Sequence, residues 1–149
     1  MKIITASMAV SFSRRLEEDS SKFYEQLAQR YPKYKETFLS MIKENKKNIK
    51  VVEREYYEVI TDALESCFSF DMDTDNYTFN TELDEEISFY NAVNKTVEME
   101  DKIIEFYLVA ARQSKSLMAD LPKAFENMSK RRNNRKLKLK SLIIDDKSI

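Results

Sequence analysis

Not one glycine occurs in the 149 residues of this chain, and only two prolines do. Glycine supplies the positive backbone angles of tight turns, so a glycine-free chain is poorly suited to a β fold of short strands and close hairpins. Its absence also removes the glycine-rich phosphate loops of P-loop and dinucleotide-binding proteins. Long helices with few connections fit best. The length suits one helical domain over residues 1–149, large enough to bury most of its apolar surface. The expected fold class is all-α.

Four helices in two hairpins are expected. The first runs from about residue 8 to 30, and Pro32 sits in the opening turn of the second, where its missing N–H costs little. The second continues to about 67. Residues 68–80 are short of helix formers and read as a long crossover. Thr81 to Asp84 resembles a capping box, which starts the third helix; this runs to about Ser114. Asp120 and Pro122 open the fourth, which ends near 142 and leaves residues 143–149 as a frayed tail. The helical core is thus about 8–142.

Steps of three and four along each helix trace an inward stripe. In all four the apolar run is broken near its middle. The first and third helices place Glu17 and Glu100 there, the second Asn45 and Asn48, and the fourth Arg132 and Arg135. Four interruptions at similar depth point to a polar layer across the bundle centre. Glu17, Phe23 and Tyr24 also recur 83 positions later as Glu100, Phe106 and Tyr107, in a chain with no histidine. The recurrence suggests a duplicated hairpin. The two tyrosines are expected to serve packing rather than redox chemistry.

These residues, with Phe38 and Phe125 opening the second helix of each hairpin, resemble the ferritin-like superfamily and its rubrerythrin-like branch. The resemblance implies a four-helix bundle with a long crossover between the second and third helices. Many members bind two irons through one Glu on each of the first and third helices and a Glu-x-x-His pair on each of the others. Glu17 and Glu100 match the single carboxylates. The two pairs fall on Asn45 and Asn48 and on Arg132 and Arg135. Arginine does not ligate metal. The implied site is a degenerate one in which two guanidinium groups balance two carboxylates without a cofactor. The implied role is a non-enzymatic binding, regulatory or assembly module.

Two metal-binding alternatives compete. Turning the second helix by one residue brings Glu44 into the core, so that Glu17, Glu44 and Glu100 hold iron or manganese in a rubrerythrin-like oxidoreductase or iron-handling protein. In the crossover, Asp71, Asp73, Asp75 and Glu82 have the spacing of a calcium loop, with Asn76 at the usual glycine position.

Other classes have weaker support. Net charge is −1, which argues against a nucleic-acid partner. Lys130 to Lys140 holds seven basic residues, of which Lys130, Arg131, Lys136, Lys138 and Lys140 are expected on a solvated face. No apolar stretch reaches the roughly 20 residues of a membrane span. Residues 1–10 merge into an amphipathic helix rather than a secretory signal. Cys67 is the only cysteine, is expected to pack inside, and suits a cytoplasmic setting. Phe12, Phe70, Phe79 and Phe89 lie off the stripes and need cover, which points to a homo-oligomer or a protein partner.

Overall fold

The computed structural model describes residues 1–59, 70–115 and 120–147. Among them are four long helices: α1 (Ala6–Arg30), α2 (Lys35–Val59), α3 (Phe89–Ser114) and α4 (Asp120–Lys147). Cys67 and the expected end of the second helix lie outside the described residues. Pro32 opens a single 3-10 turn, Pro32–Tyr34, that joins α1 to α2. Cross-helix contacts set the neighbours. Ser20 meets Asn45 while Arg14 meets Glu53, so α2 runs antiparallel to α1. Likewise Tyr24 meets Glu100 while Ser13 meets Tyr107, so α3 is antiparallel to α1. Through Asn45–Arg135 and Tyr34–Asp146, α4 is antiparallel to α2. α1 and α4 therefore face each other across the bundle diagonal. The buried apolar side chains form one continuous core. None of the described helices is long and apolar enough to cross a membrane.

The ends of the helices differ from expectation. α1 begins at Ala6 because Thr5 Oγ1 accepts the Met8 N–H. α3 begins at Phe89, with its cap seven residues beyond the Thr81 cap that the sequence suggests. Two N–H groups that would open that helix are taken by side chains instead: Glu82 N–H by Asn80 at 3.0 Å and Leu83 N–H by Gln26 Oε1 at 3.1 Å. Ser88 is the cap, accepting from Asn91 N–H. α4 runs five residues past 142. Tyr34 Oη donates to Asp146, and the Lys147 ammonium lies 5.1 Å from the centre of the Tyr90 ring.

The crossover also corrects the calcium reading. Met72–Asp73 pairs antiparallel with Lys2–Ile3 as a two-residue ribbon, β2 with β1, which helical patterning did not anticipate. A 3-10 turn, Thr74–Asn76, follows. Asn76 therefore lacks the positive φ that a calcium loop needs, and no described residue has one. Asp71 pairs with Lys2, and Asp73 accepts from the Asp75 N–H. That hydrogen bond leads the forces that hold the Asp73 carboxyl below its ordinary range. Asp71, Asp73, Asp75 and Glu82 do not converge, and no group of three or more acidic or thiol side chains among the described residues is placed to hold a metal.

Side chains from α1 and α3 satisfy the crossover backbone instead. Gln113 exchanges two hydrogen bonds with Asp71, Lys102 reaches the Thr78 carbonyl and Lys95 the Glu82 carbonyl. The phenylalanines that lie off the helical stripes pack within the chain. Phe12 packs on Tyr77 and Phe106, Phe70 is buried, and Phe79 rests against the core. Phe89 stacks on Tyr34. If Ser88 is the true cap, Ser88→Ala lowers stability by about 1 kcal/mol in urea unfolding, whereas Thr81→Ala leaves the midpoint unchanged.

Candidate functional site

Midway along the bundle, six polar residues meet with almost no access to water. Glu17, Asn45, Asn48, Glu100 and Arg132 are fully buried and Arg135 is 5% exposed. They are the residues that interrupt the four apolar stripes: helical periodicity turns them inward, and the register of the antiparallel helices brings them to one level.

Arg132 is the hub. Its Nη1 donates to both oxygens of Glu100, at 2.8 Å each. Its Nη2 reaches across the diagonal to Glu17 Oε2 and also contacts Ser20 Oγ at 3.2 Å and Asn45 Oδ1 at 3.1 Å. Burial opposes the charge on Arg132, but Glu100 and Glu17 outweigh it and hold the guanidinium well above its ordinary pKa. Arg132 Nε has no hydrogen-bond partner among the described residues. Such a buried orphan costs about 1–3 kcal/mol, which the ion pairs must offset.

Arg135 completes the charge balance. Its Nη1 donates to Asn45 Oδ1 at 2.8 Å and lies 3.5 Å from Glu100 Oε1. Its Nη2 meets the Met41 carbonyl and Glu44 Oε1. Burial and the neighbouring Arg132 oppose its charge, yet Glu100, Tyr24 and Glu44 raise its pKa. The Tyr24 ring lies 5.4 Å from its Cζ, within range of a cation–π contact. Asn45 turns its oxygen to both arginines and its NH₂ to Ser20, Ser21 and the Glu17 carbonyl. Asn48 donates to Glu17 Oε1 at 3.4 Å and accepts from Arg131 at 3.0 Å. Arg131 was expected on the solvated face; it is exposed but not idle.

The tyrosines do more than pack. Tyr24 Oη donates to Glu100 Oε1 at 2.6 Å, and Tyr107 Oη to Glu17 Oε1 at 2.7 Å. Ser13 Oγ, 3.0 Å away, then donates to Tyr107 Oη. Each tyrosine thus serves the glutamate of the other hairpin. Each also lies against the phenylalanine of its own: Tyr24 on Phe38 with centroids 6.2 Å apart, Tyr107 on Phe125 at 6.0 Å. The shared 83-residue offset was the signal for this role.

Every oxygen of Glu17 and Glu100 is therefore engaged by a donor of the chain. The three-carboxylate alternative does not form. Asn45, not Glu44, faces inward, and Glu44 sits outside with its side chain 42% exposed, paired to Arg135. A cation between Glu17 and Glu100 would have to displace Arg132, and neither guanidinium can act as a ligand. The donor set does not fit a di-iron centre. The chain matches no protein-family model, no curated protein and no solved structure.

Two outcomes test the network. Arg132→Met strands both glutamates and lowers stability by about 3–5 kcal/mol. The triple variant Glu17→Gln/Glu100→Gln/Arg132→Met recovers part of that loss in urea unfolding, and a triple variant less stable than the single one contradicts the coupling. The second outcome concerns alkaline pH. Burial first, and then Glu100 and Glu17 respectively, raise Tyr24 and Tyr107 well above the ordinary value of 10.0. The unfolded chain releases these protons nearer 10, so the stabilisation is complete below that pH and is lost as pH rises beyond it. In an alkaline absorbance titration, Tyr24→Phe and Tyr107→Phe each remove one phenol that ionises only with unfolding.

Proposed function

We propose that this protein is a metal-independent, ferritin-like bundle that acts as a binding, regulatory or assembly module rather than as an enzyme. The observation that carries this reading is the position of Arg132 between Glu17 and Glu100, with every carboxylate oxygen occupied. The place of two metal ions is taken by protein cations. The helix order, with a long connection between the second and third helices, supports the ferritin-like placement, as does the double occurrence of Glu and Phe-Tyr. The chain has no histidine for acid–base work near neutral pH. Its buried tyrosines are neutral hydrogen-bond donors with raised pKa values, unsuited to proton abstraction at that pH.

Metal analysis of protein purified without chelator and then incubated with ferrous iron tests the reading. The expected result is far less than one iron per chain; stoichiometric iron overturns it. As a positive control, Asn45→Glu/Asn48→His/Arg132→Glu/Arg135→His rebuilds the family's ligand set and is expected to take up cobalt(II) with visible d–d absorption.

A further inference from the structure

A pocket of about 170 Å³ opens in the groove between α2 and α4, directly outside the buried network. We infer that it is a binding site for a small phosphate-type oxyanion. On α4, Arg131, Asn134, Arg135 and Lys138 follow one another at helical spacing, so their side chains line one wall. Glu44 stands opposite on α2. Arg135 is already balanced by the buried layer, so Arg131 and Lys138 against Glu44 leave a net +1, which rises to +2 once Glu44 swings outward, against a phosphate group carrying about −1.5 to −2 at neutral pH. The volume lies below the roughly 300–1,000 Å³ of pockets for larger organic ligands. It therefore favours inorganic phosphate or the phosphate end of a small molecule.

What separates this pocket from an ordinary basic surface is Arg135. Its side chain is only 3% exposed. Asn45 Oδ1 and the Met41 carbonyl fix its guanidinium, so little freedom is lost when an anion docks. Its Nη2 already holds a carboxylate, that of Glu44. Glu44 is partly exposed and can swing outward, whereas Arg135 cannot follow it. Glu44 is thus an internal stand-in that an external oxyanion displaces. The incoming anion then meets Arg135, the free edge of Arg131, and the Lys138 ammonium, which has no partner among the described residues. Arg135 also touches Asn45 and Glu100, so occupancy is felt inside the polar layer.

The inference rests on the placement of Arg135 and not on the metal-free reading, so each can fail without the other. Isothermal titration at constant ionic strength, in a buffer free of phosphate, tests it with inorganic phosphate, glycerol 3-phosphate and sodium chloride as probes. Saturable one-to-one binding of phosphate or of the phosphomonoester is expected, and which is tighter distinguishes the free ion from a phosphorylated small molecule. Lys138→Ala weakens binding about tenfold, equivalent to the loss of one charge-assisted contact. Glu44→Gln, by removing the internal competitor, tightens it several-fold. Lys130→Ala and Lys140→Ala, outside the pocket, change it less than about twofold, well under the 1.4 kcal/mol of a tenfold effect. Equal losses for Lys138→Ala and Lys140→Ala mean diffuse charge only and overturn the site. So does weaker binding by Glu44→Gln, or no saturable phosphate binding in either the native protein or that variant.

Discussion

Arg132 carries a full positive charge into the middle of the bundle, where its side chain has no access to water, and the interior is arranged around it. Its flat fork joins two carboxylates from opposite hairpins, which a lysine ammonium could not do with the same geometry. Such a network adds little net stability relative to an apolar core of equal volume, because desolvation cancels much of the attraction. Its larger effect is on alternatives. Turning any of the four helices by one residue removes a partner and strands a charge, at a cost near the 3–5 kcal/mol of a broken buried pair. The apolar stripes on their own would tolerate more variation in packing.

Around that centre the two hairpins are related by a near two-fold exchange. Glu17, Tyr24 and Phe38 in one stand where Glu100, Tyr107 and Phe125 stand in the other. The exchange is functional in the physical sense: each phenol satisfies the carboxylate of the opposite half. The symmetry breaks on α2 and α4, where amides in one half face guanidinium groups in the other. Between them, these differences keep the centre both hydrogen-bonded and neutral.

Much of this was legible in the residues. Helices of about 25 residues average periodic signals over many turns, so the stripes and their six polar interruptions were readable. The role of the tyrosines was harder to read, since an inward tyrosine usually packs and its oxygen's partner here lies 76 or 90 positions away. The crossover was least legible. Its backbone donors and acceptors are met by Gln26, Lys95, Lys102 and Gln113 from distant helices, which no local capping rule reports. The end of α4 was also missed: the tail expected to fray carries Asp145 and Asp146, whose negative charge opposes a helix C-terminus. Contacts from Tyr34 and Tyr90 overrode that preference.

The unequal halves also bear on partner choice. Within the buried layer, the first hairpin brings Glu17 with two neutral amides, and the second brings Glu100 with two guanidinium groups. One half is an anion and the other a cation. Two copies of the first would bring carboxylates together without a counter-charge, and two copies of the second would crowd four arginines around two acids. Only unlike halves neutralise each other. The bundle is in effect a heterodimer whose subunits happen to share one chain, with recognition written in its core rather than on its surface.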